Sequence, residues 1–487
     1  MTIVSRPSRV VSLLGGSITP PPNPCTHAAP AAASPWTGEP GTAGRAVVVG
    51  AGKMGLPLAA QFGRHGWHVT AVDVNPAVVD AINAGHSHVA EEPGLADAVA
   101  EMHAAGRLRA TTDAAAATRE ADVVVLIVPV MLDDGHQPNY RYMDSAVESI
   151  APGIHPGVTI IFETTLPVGD TRNRFTPIME RVSGLKGDVD FFVAFSPERL
   201  FSGAVFANLA TYPKLVGGIG PESGRRAANF YDGVLDAEIV AMSCAEAAEF
   251  SKLADTTYRD VNIALANDFA RYADRVGVDI QEVIDAANSQ PYSHIHQPGI
   301  GVGGHCIPVY PHLILSRAPD LDVIAVSRRT NDEQVGLAIK ALESMLGGLD
   351  DVPVLVLGLT YRENVKELAY SRALPLMERL SFHGAQVSAY DPLLDDAEIE
   401  QCCATPYHWG EPAPFRAIVT QTADAQWKTI DFARFPELEV ILDGRNSLRD
   451  IDLPDGIGYM GIGVQAANRR RAVSPSADVR AATPSTR

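Results

Sequence analysis

From about residue 44 onward, short apolar runs alternate with longer stretches in which apolar residues recur at helical spacing. This alternation is typical of a parallel α/β sheet, in which each buried strand is followed by a helix that covers it. The apolar runs predict buried strands at residues 45–50, 68–73, 122–130, 157–163, 189–195 and 213–218.

The pattern changes after residue 240. Ser243 and Glu246 form an S-x-x-E capping box, and neither Pro nor Gly follows until Gly277. The sequence therefore predicts a helix of about 33 residues, which spans on the order of 50 Å and is long enough to bridge two domains. Its apolar residues near helical spacing are Phe250, Leu253, Val261, Leu265, Phe269, Tyr272 and Val276.

A shorter helix at 279–287 and a glycine-rich loop at 297–306 follow, and a second strand–helix alternation then begins at residue 352. The chain of 487 residues is longer than one hydrophobic core usually serves. The predicted fold class is α/β, with two Rossmann-like parallel-sheet domains joined by a helical middle domain that contains one long central helix. The expected boundaries are 44–240 for the first sheet domain, 241–338 for the helical domain and 339–465 for the second sheet domain.

Both ends of the chain are rich in Pro, Ala, Ser and Thr, and we expect disordered extensions at 1–43 and 466–487. The apolar run at 10–14 weakly resembles a secretion signal, but it is too short and is followed by prolines. No apolar run approaches the roughly 18 residues of a membrane span. The sequence therefore predicts a cytoplasmic protein with no membrane partner.

Composition and net charge argue against one class of partner, nucleic acid. Hydrophobic residues make up 46% and charged residues 20% of the chain, which is ordinary for a globular protein. The 39 basic residues against 58 acidic ones give a net charge of -19. That balance argues against nucleic acid as a partner. It does not exclude an anionic small molecule, because a local cluster of donors can outweigh the overall charge.

The first strand runs into a glycine motif. Residues 50–55 read Gly-Ala-Gly-Lys-Met-Gly, and Asp73 ends the next predicted strand. The three glycines permit a tight turn, close approach of a pyrophosphate and close helix–strand packing, while a carboxylate at Asp73 can accept hydrogen bonds from a ribose. The same charge repels a 2′-phosphate, so NAD is favoured over NADP; a plain glycine-rich turn is the alternative. The expected cofactor residues of this motif are Gly50, Gly52, Lys53, Met54, Gly55 and Asp73.

Cys306 ends the glycine-rich loop. The commonest fate of a cysteine is to be buried and inert, but a thiol near a nicotinamide can add to an aldehyde and carry it to a thioester. A metal is a third alternative, which we do not expect, because no recognised zinc spacing relates the nearby candidates His294, His296, His305, Cys306 and His312.

Polar residues cluster at two further places. Lys252, Thr256 and Arg259 lie at i, i+4 and i+7 on one face of the long helix, although a solvated stripe with an Asp255–Arg259 pair is the simpler interpretation. Glu198 and Thr165 each follow a predicted strand, at the end of the sheet where α/β proteins bind ligands.

These motifs in this order resemble the UDP-glucose/GDP-mannose dehydrogenase family, from about residue 45 to 464. The resemblance implies an NAD domain, a central helix used in dimerisation or higher homo-oligomers, and a C-terminal sugar-nucleotide domain. It also implies oxidation of C6 of a UDP-sugar to the uronate with two NAD. The stretches that carry it are 50–55, 165–169, 196–199, 213–218, 252–253, 258–262, 303–306, 358–361, 390–392 and 443–446.

The resemblance also implies roles for individual residues. Cys306 matches the nucleophile, Lys252 the lysine that stabilises developing negative charge, Glu198 the carboxylate that assists thioester hydrolysis, and Thr165 the threonine between nicotinamide and the reacting carbon. Thr256 completes the catalytic set. Pro129, Thr165 and Ser202 are further expected cofactor contacts. The expected substrate contacts are Glu198, Arg199, Leu200, Lys252, Arg259, His296, Gln297, Gly299, Gly301, Gly303 and Arg372.

Three positions depart from the family pattern. Thr256 stands where the family usually has Asn, Tyr310 where it usually has Asp, and Ala369 where an Arg commonly precedes Ser371, with Arg372 nearby.

The run at 257–262 is most similar to that of members acting on UDP-N-acetylhexosamines. A two-electron oxidoreductase that releases an aldehyde and a non-catalytic sugar-nucleotide-binding protein remain alternatives. Counting NADH per sugar separates the three hypotheses: two, one or none.

Overall fold

The computed structural model describes residues 44–201 and 203–465; the expectations for residues 1–43, Ser202 and 466–487 lie outside this range. The strands of the N-terminal half are β1 (Arg45–Val49), β2 (His68–Val72), β3 (Leu108–Thr111), β4 (Val123–Leu126), β5 (Met131–Leu132), β6 (Pro138–Asn139), β7 (Thr159–Phe162), β8 (Phe192–Phe195), β9 (Lys214–Gly218) and β10 (Ile239–Ala241). Its helices are α1 (Gly55–Arg64), α2 (Pro76–Asn83), α3 (Leu95–Ala104), α4 (Ala114–Arg119), α5 (Arg141–Ile150), α6 (Thr176–Ser183), α7 (Val205–Thr211) and α8 (Pro221–Val234).

Eight of these strands form one sheet in the order β10-β9-β8-β7-β4-β1-β2-β3, while β5 and β6 pair as a separate hairpin. Neighbours in the sheet are parallel except β8 and β9. Strands β4, β7 and β8 are buried along their whole length, because hydrophobic clusters cover both faces of the sheet. The chain order reverses at β1, which lies between β2 and β4, and this is where ligands bind in open α/β sheets.

The six predicted strands coincide with β1, β2, β4, β7, β8 and β9. The strands are shorter than predicted, and the difference is largest for β4, which ends at Leu126 instead of residue 130. Ile127 N still donates to Val49 O over 2.9 Å, but Pro129 has no N–H with which to continue the ladder. The chain instead leaves the sheet and enters the β5–β6 hairpin.

The middle of the chain is helical, as predicted. Its helices are α9 (Ala245–Val276), α10 (Ile280–Asn288), α11 (Tyr310–Leu315) and α12 (Asp322–Leu346). Helix α9 has 32 residues and ends at Gly277, whose φ of 75° places it in the left-handed region that favours glycine. The predicted capping box was wrong. Cys244 is the N-cap residue, and the Glu246 carboxylate instead pairs with Arg172 Nε over 2.5 Å.

The apolar residues at helical spacing on α9 divide between two faces. Leu253 is fully buried, whereas Phe250, Leu265, Phe269, Tyr272 and Val276 are between 38% and 64% exposed. The exposed five lie on one face, opposite the polar stripe of Lys252 and Thr256. The pattern was correctly interpreted as helical, but most of it does not belong to the core.

The second long helix, α12, was not expected from the sequence and packs along α9. The Arg328 guanidinium forms an ion pair with Asp260 between the two helices, and both side chains are buried. Asn331 Nδ2 donates to Asp260 Oδ1 over 2.8 Å, and Asn267 Nδ2 donates to Asn331 Oδ1 over 3.0 Å. Polar contacts thus fix the register of the two helices.

The C-terminal sheet has the order β13-β12-β11-β14-β15-β16-β17 and is parallel except for β16 with β17. Its strands are β11 (Pro353–Leu357), β12 (Gln386–Tyr390), β13 (Thr405–Pro406), β14 (Ala417–Thr420), β15 (Val440–Asp443), β16 (Gly458–Gly461) and β17 (Val464–Gln465), and its helices are α13 (Ala373–Phe382) and α14 (Asp396–Gln401). The predicted α/β class with two parallel-sheet domains and a helical middle is confirmed. None of the helices in the described ranges has the length and apolar character needed to cross a membrane.

We predict that Arg328→Met destabilises the protein by about 3–5 kcal/mol, because it leaves the buried Asp260 carboxylate without its charged partner. Chemical denaturation measures the change. Arg434→Met is the control, since the Arg434–Asp431 pair is exposed and such pairs contribute about 1 kcal/mol or less. Equal losses in the two variants would contradict a role for the buried pair.

Candidate active site

The glycine motif forms a tight turn between β1 and α1. Gly50 has a φ of 97°, and its N–H donates to Val72 O over 2.8 Å. A Cβ on Gly55 would lie 1.8 Å from Gly50 O, so the third glycine is required by packing. A Cβ on Gly52 would have nothing within 4 Å, so that side of the turn is open. The open face and the start of α1 fit the pyrophosphate of a dinucleotide.

Asp73 follows β2 and faces this turn. Its Oδ2 accepts from Ala51 N over 3.0 Å, and its Oδ1 accepts from Asn75 N over 2.9 Å. Two backbone amides therefore hold the carboxylate at the position where a ribose would lie. Pro129, an exposed residue of the segment after β4, follows the strand next to β1. Expected cofactor residues thus collect at one end of the sheet.

Lys53 and Met54 differ in what they contact. Met54 is the N-cap residue of α1 and packs against the core. Lys53 Nζ lies 3.2 Å from Glu91 Oε1 and 3.5 Å from Glu367 Oε2, which belongs to the C-terminal part of the chain. Lys53 therefore connects the glycine motif between β1 and α1 to the second sheet domain.

Two asparagines of α9 hold the segment that leads into the glycine-rich loop. Asn262 accepts from His296 N over 2.9 Å through Oδ1 and donates to His294 O over 2.7 Å. Asn267 Oδ1 accepts from Gly299 N over 2.9 Å. Sequence reasoning missed Asn267, because nothing in the chain indicates which helix the loop contacts.

The glycines of the loop allow it to pack against the C-terminal domain. A Cβ on Gly299 would lie 3.0 Å from Arg445 NH1, and one on Gly301, whose φ is 130°, would lie 3.1 Å from Arg372 Nε. A Cβ on Gly303 would lie 3.0 Å from Tyr370 O. The loop thus passes between α9 and the second sheet domain, beside two arginines. Gln297 is exposed.

The loop brings Cys306 to the polar face of α9. Cys306 is a partly buried free thiol, and its carbonyl accepts from Tyr310 N over 2.9 Å at the start of α11. Lys252 is 6% exposed, and its Nζ lies 5.9 Å from the centre of the Tyr310 ring. Burial lowers the pKa of Lys252, while the neighbouring Cys306 and Glu198 act in the opposite direction. Sulfur, amine and carboxyl therefore lie within electrostatic reach of one another.

Tyr310 occupies the space between the thiol and the end of the first sheet. Its hydroxyl lies against Cys306 and against Thr165, which is buried beyond the end of β7. Burial, followed by the electrostatic interaction with Cys306, raises the pKa of Tyr310. The phenol therefore stays protonated and can donate a hydrogen bond.

Thr256 and Arg259 follow Lys252 on the polar face of α9, and each has contacts within the helix. Thr256 is buried, and its Oγ1 lies 3.4 Å from Arg259 NH2. Arg259 also approaches Asp255 Oδ2 at 3.4 Å, so the simple i,i+4 pair exists. Arg259 Nε, however, is buried and has no hydrogen-bond partner among the described residues. Burial and then Arg259 lower the pKa of the nearby His296.

Glu198 follows β8 and has a side chain that is 13% exposed. Its Oε1 accepts from Leu200 N over 2.6 Å, while its Oε2 is buried and has no hydrogen-bond partner in the described part. Burial raises the pKa of Glu198, the attraction of Lys214 lowers it, and the repulsion of Glu163 raises it again. The net effect is a pKa of about 7. A carboxyl with this pKa can both take up and release a proton near neutral pH.

Two expected substrate residues point elsewhere. The Arg199 guanidinium donates to Pro213 O, and Leu200 packs against the hydrophobic core. The structure instead places Lys214 near Glu198 and Arg445 near the loop. The sequence contained one signal for the former, since Lys214 is the one charged residue of an otherwise apolar strand.

Most of the described chain matches one family, in three successive segments. Residues 44–235 match the NAD binding domain, residues 246–333 the central domain and residues 355–450 the UDP binding domain of the UDP-glucose/GDP-mannose dehydrogenase family. The UDP-N-acetyl-D-mannosamine dehydrogenase of Pyrococcus horikoshii is 33% identical over 429 residues, which cover 86% of this chain and 99% of the relative. The enzyme of that name from Escherichia coli K12 is 33% identical over 361 residues, which cover 71% and 84%.

A solved structure agrees. The UDP-D-ManNAc dehydrogenase of Pyrococcus horikoshii superimposes with a TM-score of 0.78 at 32% identity, covering 86% of this chain and 99% of that one. The chain therefore belongs to the UDP-glucose/GDP-mannose dehydrogenase family and is an NAD-dependent oxidoreductase of nucleotide sugars. The expected family and cofactor are confirmed.

We predict that Gly52→Ala and Gly55→Ala fail in different ways. The added methyl at Gly52 meets open space, so stability is retained while NAD binding weakens by about tenfold or more, because the methyl occupies the pyrophosphate's approach. The methyl at Gly55 collides with Gly50 O and costs about 1–3 kcal/mol of stability. Calorimetric NAD titration and thermal melting separate the effects. Unchanged NAD affinity in a folded Gly52→Ala protein would contradict the assignment.

Proposed function

We propose that the protein oxidises C6 of UDP-N-acetyl-D-mannosamine to the uronate, removing four electrons through a covalent intermediate on Cys306. One observation carries this proposal: a loop thiol faces Lys252 and Glu198 beside the NAD-binding end of the first sheet. A protein that only binds a sugar nucleotide has no use for a thiol there. The names of the relatives support the choice of sugar.

Gly50, Gly52, Gly55 and Asp73 would hold NAD, which would supply the oxidising chemistry for both two-electron oxidations, one equivalent for each. Lys252 stabilises the negative charge that develops on the C6 oxygen, since a buried ammonium acts strongly at short range. The Cys306 thiolate adds to the aldehyde carbon to give a thiohemiacetal, whose oxidation leaves a thioester. The Tyr310 and Thr165 hydroxyls orient the reacting oxygen from the sheet side.

The nucleotide part of the substrate is proposed to lie along the glycine-rich loop, against the 339–465 domain. The exposed Gln297, the half-buried His296 and the backbone at Gly299, Gly301 and Gly303 line this path. Three arginines supply positive charge for a diphosphate: Arg259, whose Nε lacks a partner in the described chain, Arg372 and Arg445. Their local charge outweighs the net charge of -19 on the whole chain.

Hydrolysis of the thioester is assigned to Glu198. The family's usual Asp and Asn are replaced by Tyr310 and Thr256, and neither hydroxyl supplies a carboxylate at ordinary pH. The buried Glu198 Oε2 has no hydrogen-bond partner in the described part of the chain, so it is free to accept a proton from water. The attacking oxygen then forms a bond to the acyl carbon, the C–S bond breaks, and its electron pair returns to Cys306.

We predict that the wild type forms two NADH per UDP-N-acetyl-D-mannosamine consumed. Glu198→Gln should give a burst of NADH and then stall, with hydrolysis slowed about 10²–10⁴-fold, because one general base is removed. Intact-protein mass spectrometry should show the acyl group on Cys306.

Cys306→Ala is the matched control, which binds substrate but acquires no mass. One NADH per sugar with released aldehyde would favour the two-electron alternative, and normal turnover of Glu198→Gln would overturn the assignment of the base.

We also propose that the chain forms a homodimer, or a higher oligomer built on it, through the exposed face of α9. Phe250, Leu265, Phe269, Tyr272 and Val276 cover about 40 Å of helix, from the 1.5 Å rise per residue. Tyr258, which is 52% exposed, lies on the same face between Phe250 and Leu265. An exposed apolar stripe of this length indicates an interface. A second copy of the same helix presents a surface of the same shape and character.

We predict that Leu265→Asp combined with Tyr272→Asp converts the oligomer to a monomer, because two charges would be buried without partners in the interface. Light scattering after gel filtration measures the mass. The control is Phe382→Asp, which alters an apolar side chain that is 87% exposed on α13, away from α9. An unchanged mass in the double variant, or a monomeric wild type, would contradict this interface.

A further inference from the structure

A group of buried ionisable side chains lies directly behind Glu198 and has no role in the chemistry described so far. Glu163 follows β7, Lys214 begins β9 and Tyr231 lies in α8. Glu163 and Tyr231 are fully buried, and the Lys214 side chain is 8% exposed. Burying charges costs several kcal/mol unless they are compensated, so their presence beside a catalytic carboxyl calls for a physical reason.

The contacts among these groups are asymmetric. Lys214 Nζ lies 3.0 Å from Glu163 Oε2 but 3.9 Å from Glu198 Oε2. The Tyr231 hydroxyl donates to Glu163 Oε1, and its ring lies 4.7 Å from Lys214 Nζ. Glu198 N donates to Glu163 O over 3.1 Å, which fixes the spacing of the two backbones. The Lys214 ammonium therefore forms its closer ion pair with Glu163 and only a long one with Glu198.

Glu198 faces ionisable groups from every element packed around it. Glu163, Lys214 and Tyr231 lie on the side of the sheet, while Lys252 of α9, Cys306 of the loop and Tyr310 of α11 lie on the side of the substrate. On the sheet side, two carboxyls share one ammonium. The single ammonium therefore compensates Glu198 less closely than Glu163, because its Nζ lies 3.9 Å from one carboxylate and 3.0 Å from the other.

We propose that Glu163, Lys214 and Tyr231 form a charge-balancing cluster that keeps the Glu198 carboxylate basic and free to accept the proton of the hydrolytic water. The three are positioning residues that act through Glu198. The inference rests on the proposed function, because it concerns the hydrolytic step assigned there.

In that step the water oxygen bonds to the acyl carbon and its proton moves to Glu198. The C–S bond breaks, and the electron pair goes to Cys306, which is later reprotonated. If Lys214 were not neutralised by Glu163, its charge would pair closely with Glu198. The carboxylate would then be a weaker base and would be held away from the water.

The test follows the decay of the acyl-enzyme as a function of pH, by intact mass after rapid mixing of the enzyme with NAD and UDP-N-acetyl-D-mannosamine. The rate should rise with pH through the pKa of Glu198, which burial and Glu163 raise to about 7. Glu163→Gln keeps the shape of the side chain but frees Lys214. It should lower the maximum rate and move the rising limb to lower pH by about one unit or more.

Lys214→Met should move the same limb in the opposite direction, to higher pH, because both carboxyls lose their counter-charge. Lys214→Arg retains the charge and should restore the limb to its wild-type position, which a purely structural role would not produce. Glu246→Gln is the matched control. It removes a nearly buried carboxylate from an ion pair with Arg172, away from Glu198, and should leave the limb unmoved.

Opposite shifts in Glu163→Gln and Lys214→Met support the cluster. Shifts in the same direction, or wild-type profiles in both, overturn it. If Glu163→Gln does not fold, the comparison of Lys214→Met with Lys214→Arg decides in the same way. The amplitude of the first NADH burst is recorded in every run. A wild type that forms no NADH refutes the proposed function, whereas normal bursts with unmoved limbs refute only this inference.

Discussion

The position of the Cys306 thiol depends on a chain of polar contacts between two long helices. Asp260 and Arg328 pair in the interior of the α9–α12 interface, and Asn331 joins Asp260 to Asn267. Asn267 in turn holds the glycine-rich loop at Gly299. Because these groups are buried, removing one of them would leave its partner unpaired and would destabilise the fold. The same contacts therefore fix both the register of the helices and the course of the loop. That register brings Cys306 to the face of α9 that carries Lys252.

Helix α9 serves two surfaces at once. One face supplies Lys252 and Thr256 to the candidate active site, and the opposite face presents exposed apolar side chains such as Leu265 and Tyr272. An α-helix holds the two faces in a fixed relation, because residues at i, i+4 and i+7 project from one side while the exposed apolar residues project from the opposite side. A partner that packs on the apolar face of α9 therefore contacts the same helix that carries Lys252 and Thr256.

The electrostatics of the site follow from unequal compensation. Both carboxyls are buried, but the Lys214 ammonium is closer to Glu163 than to Glu198 and compensates it more closely. Replacing the family's usual Asp by Tyr310 removes a further negative charge from beside the thiol. A phenol with a raised pKa is a hydrogen-bond donor and not a base. For this reason the proposed hydrolytic step assigns proton transfer to Glu198.

The sequence by itself determined the features that depend on local spacing. The turn at Gly50–Gly55, Asp73 at the end of β2, the end of α9 at Gly277 and the shared face of Lys252 and Thr256 follow from steric rules within a few residues. The ordered motifs also indicated the family. Whether α9's apolar stripe was core or surface did not follow from periodicity, which gives direction but not neighbours.

Only the tertiary structure decided which distant groups meet. Glu246 was expected to cap α9, but Arg172, which is 74 residues away in sequence, offers its carboxylate a full charge, and a charged pair outweighs a backbone amide. Glu163 follows β7, Lys214 begins β9 and Tyr231 lies in α8, and whether these elements are adjacent depends on the order of strands in the sheet. Their energies arise from burial and separation, and neither quantity is written in the spacing of residues along the chain.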